Sequence, residues 1–214
     1  MKEHKGKLIL TSLLVLLPLA AGLLLWNRLP EQLPMHWNAA GEIDGWGSRW
    51  MVVCAEPLFL LVIHWVCVVA CFIDPKNKGQ NRKALGLVLW ICPAVSLLAG
   101  FMSLSAALGM GLRIEKLVLI FLGLLFIVIG NYLPKCKQNY TIGIRVMWAL
   151  EDEENWTATH RFASRLWVGC GVVILLLAFL PWAAAGLWIS LGLVLAASLA
   201  SVLYSYIFYR KKHG

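Results

Sequence analysis

The first group of residues able to do chemistry lies in a polar stretch between two long apolar runs. There His36, Glu42 and Asp44 could together bind a cation or a peptide. Their spacing matches no standard metal motif, and a single exposed histidine usually carries no metal, so no metal site is predicted. Turn-forming residues such as Asn38 and Gly41 instead favour a structured, hydrogen-bonded cap.

A second group lies within an apolar run, where ionisable side chains are expensive and are therefore candidates for function. Glu56 stands near one end of that run, next to Pro57, and can reach the lipid headgroups. His64 forms a stripe with Cys67 and Cys71 on one helical face. The stripe could ligate a soft metal, but a neutral histidine bonded to a neighbouring helix explains it as well. Because no fourth ligand is evident, we favour the structural interpretation.

A third group lies in a longer polar stretch, residues 135–165. A helix is predicted from Glu151, with the four acids of residues 151–154 in its first turn, where the helix dipole favours negative charge. One face of this helix carries residues at i, i+4, i+7 and i+11, namely Trp156, His160, Ala163 and Trp167. The segment is either an interfacial helix that orients the next apolar run or a docking platform for a cytoplasmic partner. We favour the first, because amphipathic interfacial segments are common.

No catalytic motif is recognisable. The sequence has no G-x-S-x-G, no H-E-x-x-H and no phosphate-cradling glycine loop. We therefore predict that the protein is not an enzyme and uses no cofactor. A membrane enzyme acting through His36 or His160 ranks last among the alternatives, because neither histidine has an obvious partner in the sequence.

The composition indicates that membrane-spanning helices position these groups. Of the 214 residues 60% are hydrophobic and only 14% are charged, too few for the surface of a soluble domain of this size. The net charge of +8 is not a nucleic-acid footprint, because the basic residues occupy short loops rather than one face of a domain. We predict an all-α, multi-pass bundle in the cell membrane, surrounded by the lipid bilayer, without direct nucleic-acid binding.

Uncharged apolar runs predict about six transmembrane helices. The runs cover residues 8–26, 51–73, 84–109, 117–134 and 166–209. The last would be about 66 Å long as one helix, at about 1.5 Å per residue, whereas the hydrocarbon core is about 30 Å thick. It must therefore fold as a hairpin of two spans, with its turn between Pro181 and Gly186.

The basic residues predict the orientation and, with it, the two loops that can carry function. With the N-terminus inside, 15 of the 19 Lys and Arg residues lie on the inner side, so both termini are predicted to be cytoplasmic. The long connections are then an outer loop, residues 27–50, and an inner loop, residues 135–165. We predict a two-span unit, residues 1–83, that carries the outer loop, and a four-span unit, residues 84–214, that carries the inner loop.

Both loops resemble a known family. The inner loop is similar to the signature of the SdpI family, bacterial membrane proteins whose founding member confers immunity to a secreted peptide toxin. The matching residues are Gly130, Asn131, Pro134, Lys137, Asn139, Tyr140, Gly143, Arg145, Trp148, Leu150, Trp156, Thr159, His160 and Arg161. The outer loop resembles the N-terminal domain that often precedes that signature. Its matching residues are Pro34, His36, Trp37, Asn38, Gly41, Asp44, Gly45 and Trp46.

The resemblance implies an immunity protein that protects its bacterium from a membrane-active peptide toxin and that can also hold a cytoplasmic transcriptional repressor at the membrane. It implies a toxin-binding outer face, for which the candidates are His36, Trp37, Asn38, Asp44, Trp46 and Glu56. The inner loop would dock the partner or form a structural signature through Asn131, Lys137, Asn139, Tyr140, Gly143, Arg145, Trp148, Trp156, Thr159 and His160. The alternative is a small solute or ion transporter that uses Glu56 and His64.

Overall fold

The computed structural model describes residues 5–76, 82–181 and 183–214 and confirms the predicted all-α, multi-pass bundle. The helices of these residues are α1 (Lys5–Val15), α2 (Leu17–Leu24), α3 (Glu56–Ile73), α4 (Arg82–Ala107), α5 (Ile114–Tyr132), α6 (Met147–Glu151), α7 (Glu153–Leu177) and α8 (Ala183–His213). Two strands, β1 (Gln32–Trp37) and β2 (Ile43–Ser48), lie between α2 and α3.

Among the described residues, six helical segments are long and apolar enough to cross a membrane, as predicted. They are Lys5–Leu24, Met51–Ile73, Gly86–Ala107, Ile114–Lys135, Glu153–Leu177 and Ala185–His213. The predicted folding of the last apolar run into two spans is confirmed, since α7 ends at Leu177 and α8 begins at Ala183. The turn lies earlier than predicted, and Gly186 is already part of α8.

The first span is interrupted between α1 and α2. Pro18 stands in the first turn of α2, where its missing N–H breaks the helical hydrogen-bond ladder. At the break, the buried Ser96 hydroxyl of α4 donates a 2.7 Å hydrogen bond to the carbonyl of Val15. A side chain from a neighbouring helix therefore satisfies a backbone group that would otherwise be unpaired in lipid.

The outer loop folds as a β-hairpin, which the sequence did not predict. β1 and β2 pair antiparallel, with Gln32 opposite Ser48 and Trp37 opposite Ile43. The strands were missed because Pro34, Gly45 and Gly47 are residues that strands usually exclude. The pairing has register shifts beside His36, which accommodate these residues.

The helix of the inner loop starts two residues later than predicted. Asp152 is extended and caps α7, because its side chain accepts hydrogen bonds from the N–H groups of Glu154 and Asn155. Glu151 belongs to the preceding short helix α6. Only Glu153 and Glu154 therefore occupy the first turn of α7, rather than all four acids.

The chain divides into two compact units. Unit 1 comprises Met1–Phe72 and Leu85–Ile114, and unit 2 comprises Ile73–Ala84 and Glu115–Gly214. The sequence-based division at residue 83 follows the loops and stays a prediction.

In unit 2, α5 and α7 approach closely at Gly123 and Gly171, where an added Cβ would collide with the backbone of the facing helix.

Candidate functional site

The outer hairpin rests on an apolar base within unit 1. Leu33 of β1 is fully buried and packs with Leu29, Val52 and Val53. Beside this cluster the Arg49 guanidinium donates a 2.7 Å hydrogen bond to the carbonyl of Trp26 and stacks over the Trp26 ring. These contacts hold the hairpin to the adjoining ends of the first two spans.

The tip of the hairpin is held by its polar side chains. The Asn38 amide donates to Glu42 Oε2 at 2.9 Å, and its oxygen accepts the N–H groups of Ala40 and Glu42. The His36 Nδ1 and Asp44 Oδ1 atoms lie 2.5 Å apart, and both side chains are exposed. The structure thus brings three of the predicted outer-face residues into two hydrogen-bonded pairs, His36 with Asp44 between the strands and Asn38 with Glu42 in the turn.

The other outer-face candidates differ in exposure. Trp46 is 57% exposed, whereas Trp37 is half-buried. Glu56 is the first residue of α3 and is half-buried. No hydrogen bond of the described residues joins Glu56 to the hairpin, so it does not belong to the same cluster.

The histidine of the second span is bonded to the first span. His64 is buried, and its Nε2 lies 3.2 Å from the Thr11 hydroxyl of α1. This contact accounts for a polar ring in an apolar helix. Among the described residues, no group of three or more His, Cys, Asp or Glu side chains is placed to hold a metal ion.

The inner loop is organised around the buried amide of Asn139. Its oxygen accepts the N–H groups of Thr141 at 2.9 Å and Ile142 at 2.6 Å. Its nitrogen donates to the carbonyls of Lys137 at 2.8 Å and Ile142 at 3.0 Å. All of the amide's hydrogen-bonding capacity is thus used to fix a tight turn.

The turn is held to α7 by His160. The His160 Nε2 accepts the Ile144 N–H at 3.1 Å, so the proton of this ring is on Nδ1, which donates to the Trp156 carbonyl at 2.8 Å. The Trp156 ring stacks on His160 with centroids 4.0 Å apart, and its Nε1 donates to the Cys136 carbonyl at 2.9 Å. His160 and Trp156 are both buried, so these two residues of the predicted helical face act as packing and hydrogen-bonding groups.

A second buried amide lies deeper in unit 2. The Asn155 oxygen accepts the hydroxyls of Thr159 at 2.9 Å and Ser205 at 2.8 Å, and its nitrogen donates to the Ser205 carbonyl at 3.1 Å. All three residues are fully buried, with 0% of their surface exposed. This triad joins α7 to α8 through hydrogen bonds that water cannot replace.

Asp74 is a site residue that the sequence analysis missed. Its carboxylate accepts the Tyr140 N–H at 2.8 Å and the Thr141 hydroxyl at 2.9 Å. Next to it, the Lys76 ammonium donates to Gln138 Oε1 and to the Leu150 carbonyl, both at 3.3 Å, and lies over the Tyr140 ring. The only signal in the sequence was an acid directly after an apolar span, followed by a lysine.

Other inner-loop candidates face outward or pack at the rim. Tyr140 is 49% exposed, and the exposed Arg145 donates a 2.8 Å hydrogen bond to its carbonyl. Lys137 and Asn131 are exposed as well. Trp148 is half-buried against Tyr206 and Tyr209 of α8. The inner loop thus has a hydrogen-bonded interior and an exposed surface that carries cationic and aromatic groups.

Burial also affects an inner-loop cysteine that the sequence analysis did not single out. Desolvation raises the pKa of the Cys136 thiol to about 11, so this thiol stays protonated near neutral pH. It is therefore a poor nucleophile and a poor metal ligand.

These features define a multi-pass membrane protein with a structured segment on each of its two long loops. Residues 135–205 match the SdpI/YfhL protein family, and residues 13–61 match the domain of unknown function DUF1648. The chain is 28% identical to the immunity protein SdpI of Bacillus subtilis (strain 168) over 212 residues, 97% of this chain and 98% of that protein. The chain is thus similar to the SdpI family in residues 135–205 and to one immunity protein along nearly its whole length. No solved structure is significantly similar to it.

Proposed function

We propose that this protein is an integral membrane immunity protein that protects the bacterium producing it from a secreted, membrane-active peptide toxin. The observation that carries the proposal is the similarity to an immunity protein along 97% of the chain. The similarity includes both long loops, so it is not confined to the apolar spans, in which resemblance can reflect composition alone.

The two loops support a division of labour. The outer hairpin presents exposed aromatic and acidic side chains on a rigid apolar base, which suits recognition of a secreted peptide. The inner loop presents Tyr140, Arg145 and Lys137 on an interior fixed by Asn139 and His160. Such a surface suits a cytoplasmic protein partner, and we propose a transcriptional repressor held at the membrane. Signalling would require toxin binding to favour one conformation of the inner loop.

Transport through Glu56 and His64 is less well supported. The hydrogen bond between His64 and Thr11 supports a structural role for the buried ring, and Glu56 lies at the start of α3. One bonded histidine does not make a polar route across a bilayer about 30 Å thick. A His64→Leu variant that retains full function would support this structural role.

A toxin-challenge assay tests the immunity proposal. The chain is expressed in a bacterium sensitive to the toxin against which the Bacillus subtilis relative protects, and survival is counted over a range of toxin concentrations. We expect survival to rise relative to cells with an empty vector. Membrane fractionation verifies insertion, and unchanged survival with a correctly inserted protein would reject the proposal.

The signalling proposal needs a separate readout. Arg145→Ala removes an exposed side chain, whereas His160→Ala removes a buried one. If the inner loop docks a partner, Arg145→Ala should leave insertion and thermal stability intact and should abolish membrane capture of the repressor. If Arg145→Ala captures the repressor like the wild type, the exposed surface is not the docking site.

A further inference from the structure

The outer hairpin has strand edges that can accept another strand. Its sheet has two strands, so each has one edge that pairs with no other strand of the described residues. Four of the six β2 residues are exposed, so this strand is not covered by the rest of the unit. β1 contains Pro34, which lacks a backbone N–H, whereas every residue of β2 retains its donor. The β2 edge is therefore the better template for an incoming extended chain.

The side chains of the hairpin select a cationic partner. Residues 30–48 contain three acids and no Lys or Arg, in a chain whose 19 basic residues outnumber its 11 acids. Of the two arginines that flank this segment, Arg49 is bonded to the Trp26 carbonyl, and the exposed Arg28 precedes β1. The exposed face of Trp46, close to Asp44 in β2, attracts Lys and Arg through its π-electrons. A negative, aromatic surface on an otherwise basic protein complements a positively charged peptide.

The carboxylates keep part of their bonding capacity. Asp44 uses Oδ1 for His36, and Glu42 uses Oε2 for Asn38. No contact of the described residues occupies the second oxygen of either group. Because an ionised carboxylate accepts hydrogen bonds at both oxygens, each can still receive an ammonium or guanidinium.

We propose that an extended segment of a cationic peptide adds to the β2 edge of the outer hairpin, with its Lys or Arg side chains bound by Trp46, Asp44 and Glu42. The inference rests on the proposed function and deepens it, since the peptide is the toxin and the hairpin is its docking surface. Pairing of two copies of the chain through this edge is disfavoured, because it would bring like charges together.

The test uses the full-length protein in lipid nanodiscs and the purified toxin against which the Bacillus subtilis relative protects. Hydrogen–deuterium exchange is measured with and without toxin, and the Kd is measured for Trp46→Ala and for the double variant Glu42→Gln/Asp44→Asn. The matched controls are Trp188→Ala, which alters a 68% exposed tryptophan of α8, and Glu151→Gln/Glu153→Gln, which neutralises two exposed acids of the inner loop.

We expect toxin to slow amide exchange in residues 43–48, and we expect each hairpin variant to weaken binding by about tenfold or more, as hot-spot residues do. The control variants should bind like the wild type. Toxin that binds without slowing exchange in residues 43–48, or with equal Kd for all variants, would overturn the inference and leave immunity standing. A wild-type chain that neither binds toxin nor protects cells would reject both.

Discussion

Asp74 accepts a 2.8 Å hydrogen bond from the backbone N–H of Tyr140, although 66 residues separate them in sequence. The same carboxylate accepts the Thr141 hydroxyl. A side chain that directly follows α3 therefore fixes the turn from which the inner loop presents its exposed Tyr140. The position of that surface depends on a residue outside the loop.

Asp74→Ala is expected to destabilise the protein by about 1.5–3 kcal/mol, the usual contribution of hydrogen bonds to a charged group. Asp74→Asn should cost less, because the amide retains one acceptor oxygen. The free energy of unfolding is measured by denaturant titration in mild detergent. Glu153→Ala, at an exposed position, is the control, and equal stability of Asp74→Ala and this control would contradict the prediction.

Gly143→Ala is expected to destabilise the inner loop, for two reasons. Gly143 has a φ of 107°, which side-chain-bearing residues rarely adopt, and an added Cβ would collide with the Nε2 of His160. In a double-mutant cycle with His160→Ala, the two costs should be non-additive by more than about 0.5 kcal/mol, because removal of the ring relieves the collision. Additive costs would mean that the two residues do not touch.

The contact between the N-terminus of α7 and the end of α8 should weaken in acid. Lys212 donates hydrogen bonds to Asp152 at 2.9 Å and to Glu154 at 2.8 Å, and the bond from Lys212 lowers the pKa of Asp152 below its usual value of 3.8. Because the pKa is lowered on folding, the stabilisation is present above pH 3.8 and is lost as the pH falls through the folded-state pKa.

Lys212→Gln tests this dependence. The wild type should be more stable than the variant at pH 7, and the difference should shrink below pH 4. His213, whose Nε2 lies 3.9 Å from Asp152, is replaced by Gln in both proteins so that its contact with Asp152 does not affect the comparison. A difference in melting temperature that stays constant from pH 7 to pH 3 would show that Asp152 is not the titrating group.

The orientation predicted from the basic residues is tested with fusion reporters. Alkaline phosphatase inserted at the hairpin tip, after Ala40, should be active, since it folds only outside the cytoplasm. Green fluorescent protein fused after Gly214 should fluoresce, which requires a cytoplasmic C-terminus. Inactive phosphatase together with a non-fluorescent C-terminal fusion would show that the protein has the opposite orientation in the membrane.

The sequence predicted the spans well and the polar contacts poorly, for physical reasons. Lipid demands about 20 consecutive apolar residues per span, so length alone located the spans and divided residues 166–209 into two. The two strands of the outer loop were not predicted because Pro34 and two glycines lower the strand propensity of their sequences. In the structure, strand pairing and the burial of Leu33 outweigh this low propensity. Asp74 was missed because its partners lie more than 60 residues away.

The buried amide of Asn155 has a consequence for biosynthesis. α7 carries Asn155, Thr159 and His160 in its first half and is the least apolar of the six spans. Such a helix inserts into the bilayer inefficiently by itself, because its polar side chains raise the free energy of insertion. The Ser205 groups that satisfy Asn155 lie on α8, which the ribosome makes after α7. We therefore expect the translocon to release α7 and α8 together as a helical hairpin, so that a chain truncated before residue 205 leaves α7 incompletely inserted and open to proteolysis.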